Sequence, residues 1–293
     1  AELLDSVLGD LYGDQSLLKE GLMPPALVYG QAGFQWPCQG IQPVSGRFLH
    51  LYAVDLARAP DGGWWVMADR TQAPSGAGYA LQNRLVISRA FPAPFHNLPV
   101  TNLAEFFQGF QNSLASMSPA RNETALCVLL TPGRFNETYF EHVFLARYLG
   151  LPLVEGQDLT VRDDTVYLKT LQGLRRVHAI YRRLDDGFCD PLELRADSVL
   201  GIPGLLGAVR AGKVLMANAL GSGVLESAAL FGFLPEISKK LLGSPLAMPS
   251  VASWLCGEKP ALDYVIEHLD ELVIKPAFAS MRMEPVFGYQ MKG

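Results

Sequence analysis

The run Tyr181-Arg182-Arg183-Leu184-Asp185-Asp186-Gly187-Phe188-Cys189-Asp190-Pro191-Leu192 sets two arginines and three aspartates beside turn residues. The glycine loop Asn218-Ala219-Leu220-Gly221-Ser222-Gly223 comes next among segments able to do chemistry. Charged groups of both signs crowded onto loops cost desolvation energy unless a polar ligand, a metal or matched partners offset it. An anion-binding site is one reading, with Arg183 and Asp186 as the candidates for direct chemistry. The other is a salt-bridge cluster capping a strand. A strand, a Gly-x-Gly loop and a helix in succession can present free N–H groups to a phosphate, which makes Asn218, Gly221, Ser222 and Gly223 candidate cofactor contacts. The same residues also suit a tight left-handed turn between core elements.

A second constellation lies nearer the amino end. Two apolar runs, Phe48 to Ala57 and Trp64 to Ala68, flank Pro60-Asp61-Gly62-Gly63, and this turn chemistry predicts a β-hairpin. Antiparallel pairing then sets Asp55 opposite Ala68 or Asp69. Asp55 and Asp69 are either a cation site or a pair kept on opposite faces. The loop Arg70 to Tyr79 follows, rich in small residues. Arg70, Ser75 and Gly76 there can meet a substrate carboxylate or phosphate, although an ordinary connection reads the same way. Lys275 ends an apolar strand before Pro276 and either snorkels to solvent or reaches a phosphate. His142 and His178 read as structural, and no Ser/His/Asp or Cys/His order suggests a hydrolase.

These residues need a scaffold, and composition says which kind. With 293 residues, 49% of them hydrophobic, the chain has enough apolar material for a substantial core. A net charge of -5 without a lysine or arginine cluster predicts no nucleic-acid partner. No apolar run approaches the roughly 20 residues of a membrane span, and Ala1 to Asp5 lack a basic leader, so a cytoplasmic protein is expected. Cys38, Cys127, Cys189 and Cys256 are far apart and read as free thiols. The chain starts without methionine and stops just after an apparent strand and loop, which reads as a piece of something longer.

Periodicity predicts two short helices over Leu3 to Leu22, ended before Pro24-Pro25, and a helix over Ala80 to Arg89. A βαβ unit follows: strand Ala125 to Leu130, helix Glu137 to Leu149, strand Pro152 to Val154. No Gly-x-Gly-x-x-Gly accompanies it, so no dinucleotide is expected. A hairpin turns at Asp163-Asp164, and the strand Val177 to Arg182 carries the Arg/Asp run at its carboxyl end, where open α/β sheets bind ligands. Further on come a helix over Gly204 to Ala211, a strand Lys213 to Asn218, helices Glu226 to Leu234 and Leu262 to Leu269, and a strand Glu271 to Lys275.

Ala73-Pro74-Ser75-Gly76, Gln82-Asn83-Arg84, Thr131 to Glu141, Arg182 to Asp186, Asn218 to Gly223 and Val273-Ile274-Lys275-Pro276-Ala277, taken in order, resemble the circularly permuted ATP-grasp type 2 proteins, relatives of glutathionylspermidine synthase. The resemblance implies an α/β fold: an N-terminal hairpin-containing α+β region (1–120), a Rossmann-like pre-ATP-grasp region (121–245) and the beginning of an ATP-grasp lobe (246–293). It implies an ATP-dependent carboxylate–amine ligase that uses Mg2+, forms an amide through an acyl phosphate and acts on small or peptide-like substrates. Lys275 matches the ATP-contacting lysine, Asp55 an acidic hairpin residue, and Ser75-Gly76 the loop after it.

Three departures stand out. Ala68 and Arg70 occupy places where many relatives carry Glu and Asn, so a magnesium ion would lose two donors and gain a positive neighbour. The stretch Ala277 to Pro285 has no phosphate-covering glycine, leaving Arg282 to supply charge. The chain also stops before the later acidic strand of such a fold. A degenerate, non-catalytic module that binds an anionic or peptide-like ligand, or a partner protein, is therefore the alternative to the ligase.

Overall fold

Leu4, Val7, Leu8 and Leu11 fall on one side of a helix, and all four are buried along α1 (Glu2–Leu11). The computed structural model describes residues 1–278 and 283–291. After α1 come α2 (Ser16–Lys19) and a third helix absent from the sequence reading, α3 (Pro25–Tyr29). Pro25 stands at its first turn, where a missing N–H and a fixed φ cost nothing, so proline starts a helix here rather than only ending one. The predicted hairpin forms as β1 (Ala53–Arg58) and β2 (Trp64–Arg70), antiparallel with Asp55 opposite Ala68.

Then follow α4 (Ala77–Ala90), α5 (Pro92–Asn97), α6 (Ala104–Ser116), β3 (Cys127–Leu130), α7 (Tyr139–Leu149) and β4 (Leu153–Val154). Next are β5 (Leu159–Arg162), β6 (Thr165–Thr170), β7 (Gly173–Arg176) and β8 (Ala179–Arg182). The chain continues with α8 (Leu205–Arg210), β9 (Leu215–Ala217), α9 (Leu234–Leu242), α10 (Lys259–Glu267), β10 (Val273–Ile274) and β11 (Val286–Phe287). The mixture of helices with parallel and antiparallel sheets is the expected α/β class. Arg282 and its neighbours Ala279, Ser280 and Met281 lie outside the described residues.

The chain divides into two compact units, each drawn from separate stretches. Unit 1 comprises Ala1–Gly40, Tyr52–Gln72 and Gly221–Gly293; unit 2 comprises Ile41–Leu51 and Ala73–Leu220. This differs from three successive regions, and the reason is packing. In unit 2, Leu81 of α4 with Phe107 and Leu114 of α6 shares one core with Leu129, Leu145, Tyr181 and Leu215, so the core runs across position 120. In unit 1, Val66 of β2 exchanges backbone hydrogen bonds with the 249–251 segment, so the hairpin and the later residues belong together.

Unit 2 is built on a four-stranded parallel sheet in the order β4-β3-β8-β9. The βαβ unit predicted for β3, α7 and β4 is part of it. A three-stranded antiparallel sheet, β5-β6-β7, also lies in this unit. Asp163 and Asp164 both have positive φ, 50° and 56°, the conformation a two-residue hairpin turn requires. The long strand expected from Val177 is divided: Val177 N–H bonds Val166 in the antiparallel sheet, whereas His178 N–H bonds Leu126 beside the parallel one. The helix expected over Glu226 to Leu234 is also replaced, by 3-10 turns at Ser222–Glu226 and Ala228–Gly232. Ser227 caps the second turn through Ala229 N–H, which separates the two. Among the described residues no helix is long and apolar enough to cross a membrane.

Candidate functional site

Strand β8 alternates its side chains, so Arg182 and Arg183 leave it in opposite directions. Arg182 is fully buried. Its guanidinium donates to the carbonyls of Leu184 at 2.7 Å, Asn218 at 3.3 Å and Ala219 at 3.4 Å, tying the ends of β8 and β9 together. Arg183 reaches the other way, to the Pro74 carbonyl, the Tyr181 hydroxyl at 3.4 Å and Glu141 Oε2 at 3.4 Å. Both side chains of the Arg183–Glu141 pair are 1% exposed.

Glu141 completes a clamp. Its Oε1 accepts from Gly76 N–H and Gly78 N–H, both at 2.8 Å, so a carboxylate already sits at the amino end of α4. Gly78 has to be glycine here, because a Cβ would stand 2.7 Å from Glu141 Cγ. Pro74 is buried, Ser75 is exposed, and Gly76 adopts φ 110° with open space where a side chain would be. A buried ion pair thus holds a short loop whose tip faces solvent.

Two of the three aspartates of the same run, Asp186 and Asp190, turn inward, while Asp185 is exposed. Asp186 is 4% exposed and accepts from Gly187 N–H at 2.8 Å. Asp190 accepts from the N–H groups of Leu192, Gly204 and Leu206, fixing the approach to α8. Burial pushes the Cys189 thiol among them up to about 12 and leaves it inert. His142 is held between Thr131 and Thr138, and burial takes it down to about 3 with Arg183 adding to the effect. The salt-bridge cluster weighed from sequence is largely buried, with Arg183 and Asp186 reaching protein partners.

Asn218 is equally engaged within unit 2. Its Oδ1 accepts from His50 and Leu51 N–H at 2.7 and 2.9 Å, and its Nδ2 donates to the Leu51 carbonyl at 2.7 Å. The amide side chain pairs with residues 50–51 as a strand backbone would. In unit 1, Gly221 has φ 87°, its carbonyl accepts from Tyr12 Oη at 3.0 Å, and a Cβ there would collide with the tyrosine. The Ser222 carbonyl accepts from Thr71 Oγ1 at 2.8 Å. A Cβ on Gly33 would stand 2.8 Å from the Gly223 backbone. Gly221, Ser222 and Gly223 are all buried, and their close packing is the turn between core elements.

The hairpin separates its two acids. Asp55 lies across from Ala68 and pairs with Arg70 at 2.8 Å, both half-exposed. Asp69 is opposite Val54 on the other face, 5% exposed, and accepts from Tyr52 Oη at 2.6 Å. Burial raises the Asp69 carboxyl above the ordinary range, with the Tyr52 hydrogen bond and the amino terminus opposing that without cancelling it. Alternation therefore keeps Asp55 and Asp69 from sharing one cation, and Arg70 already neutralises Asp55. Among the described residues no group of three or more His, Cys, Asp or Glu is arranged to hold a metal. Lys275 is exposed just beyond β10.

The family model for circularly permuted ATP-grasp type 2 proteins matches residues 1–293. The chain belongs to that family. An uncharacterised protein of Synechocystis sp. is 39% identical over 274 residues, covering 94% of this chain and 57% of the relative. One from Mycobacterium bovis is 40% identical over 276 residues, covering 94% and 31%. A third, from Mycobacterium leprae, is 37% identical over 285 residues, covering 97% and 51%. The chain thus spans between about a third and somewhat more than half of these relatives.

ATP-grasp proteins generally bind ATP and Mg2+, and the α/β architecture agrees with that membership. The described residues fit the two groups unequally. Lys275 is an exposed cation free to approach a phosphate, whereas Asp55 and Asp69 do not fit a shared Mg2+. Glu141 is the residue that sequence reasoning left without a role. Its signal is a carboxylate in the first turn of α7, inside the same Thr131 to Glu141 motif.

Proposed function

We propose that this chain is part of an ATP-dependent, carboxylate–amine ligase-like protein, and that the Pro74–Gly78 loop of unit 2 orients an anionic or peptide-like substrate. The observation that carries this reading is the Arg183–Glu141 clamp. Removing two charges from water costs several kcal/mol per ion unless hydrogen bonds repay it, and here those bonds go largely to the backbone of one short polar loop. Such an expense is understandable where a loop must hold its shape for a ligand. Ser75 offers a hydroxyl at the tip, and Gly76 leaves its backbone open to close approach.

In this reading Arg183 is a positioning residue and not a substrate contact, and Asp186 is a structural acid. Arg70, on the hairpin of unit 1, is paired with Asp55 and is given no substrate contact. Lys275 would hold a nucleotide phosphate, and ATP when bound would supply the phosphoryl group that activates a carboxylate. No step is assigned to Mg2+ at Asp55 or Asp69.

A non-catalytic binding module is the second reading, favoured by the Asp55–Arg70 ion pair where a metal ligand would need a free carboxylate. The two part on one measurement, phosphate release from ATP by the natural protein carrying this chain, with panels of carboxylates and amines. The ligase reading expects release that requires both substrates and falls about tenfold or more in kcat/KM for Ser75→Ala, through lost orientation. Absence of ATP binding by calorimetry removes it and leaves the binding module.

A further inference from the structure

We propose that Arg121, Arg176 and Lys213 form a binding site for a phosphoryl-bearing anion at the amino end of the parallel sheet in unit 2. The three cations line an open surface pocket of about 460 Å3 together with Glu123, Asn122 and Gly212. Topology brings them there. Arg121 and Glu123 precede β3, Arg176 ends β7 just ahead of β8, and Lys213 leads into β9. Because β3, β8 and β9 are neighbours and run parallel, their amino ends open onto the same edge. This is the end of the sheet opposite to Arg182 and Arg183.

The charges do not cancel. Glu123 Oε1 accepts from Arg176 Nη1 at 3.1 Å and lies 2.9 Å from His178 Nε2. His178 Nδ1 accepts from Leu126 N–H at 3.0 Å, so the ring proton is on Nε2 and is donated to Glu123. One carboxylate thus faces three cations, an excess of two positive charges in a chain whose net charge is -5. Arg121 has no hydrogen bond or ion pair among the described residues. Arg176 Nε is buried without a hydrogen-bond partner there. Lys213 uses one N–H on the Asp163 carbonyl at 2.7 Å and keeps two more.

Two excess charges suit a phosphate dianion, and arginine forks suit its oxygens. The volume admits a phosphate with a small organic group attached. Nothing in this site touches the Ser75 loop, so it stands or falls independently of the ligase reading.

The test is a titration of inorganic phosphate into the chain at constant ionic strength, followed by phosphorus NMR. Saturable binding is expected, weakened about tenfold or more in the Arg121→Ala/Lys213→Ala variant. Glu123→Gln keeps an acceptor for His178 but removes the opposing charge, so it should bind phosphate roughly fivefold more tightly. Arg121→Ala alone, at an exposed position outside any strand, serves if the double variant misfolds. No saturable binding, wild-type affinity in the arginine and lysine variants, or tighter binding of succinate than of phosphate would each overturn the proposal.

Discussion

Asp69 shows how burial changes what a single carboxylate does. Its folded pKa is raised chiefly by desolvation, so the folded chain binds this proton more tightly than the unfolded one. Below about pH 4, where an unfolded aspartate is also protonated, the residue costs nothing. As pH rises from the unfolded pKa through the folded one the ionised form subtracts stability, and above the folded pKa the subtraction is complete. Asp69→Asn, which can still accept from Tyr52, is therefore expected to raise the urea midpoint at pH 7, with the gain shrinking to nothing as pH falls below 4. A gain independent of pH would contradict the burial argument. The sequence placed Asp55 and Asp69 near each other through the turn at Asp61-Gly62. It left open which face each acid takes, because a bulge or a one-residue shift exchanges the faces, and the ladder does shift between Asp55 and Leu56.

At the scale of elements, the Arg183–Glu141 pair joins β8, α7 and the amino end of α4. Arg183→Met alone strands the Glu141 carboxylate in a dry interior and should cost about 3–5 kcal/mol in chemical denaturation. Arg183→Met with Glu141→Leu should recover a large part, since no buried charge remains, while leaving Gly76 and Gly78 N–H groups without their acceptor. A single variant that unfolds at the wild-type midpoint would mean that water reaches the pair. Local elements were legible where turn chemistry or period spoke clearly: the Asp61-Gly62 hairpin, the Asp163-Asp164 hairpin, and β3 with α7. α5 buries none of its residues, so it leaves no hydrophobic period to read. Glu226 has a local pattern that suits a helix, but the partners that place it, Thr71 and Gln72 N–H, lie more than 150 positions away.

For the molecule as a whole, the two units draw on interleaved stretches, and that has consequences for dissection. A fragment of residues 121–245 should fail to fold cooperatively. It lacks Leu81, Phe107 and Leu114 from the core of unit 2, and it lacks residues 50–51, to which Asn218 is bound. Circular dichroism and amide dispersion by NMR would check this. Native-like dispersion from the fragment would show that the sheet needs none of those partners.

The sequence by itself determined the α/β class, most of the helices and strands, and the motifs that carry the family resemblance, because dihedral preference and side-chain period act over a few residues. Only the tertiary structure decided that Arg182, Arg183, Asp186 and Asp190 face inward, that the glycine loop is packed rather than open, and that Glu141 supplies the carboxylate at the start of α4. Those outcomes depend on burial and on partners such as Asn218 and His50, 168 positions apart. Desolvation is set by everything that surrounds a group, and no local pattern encodes those surroundings.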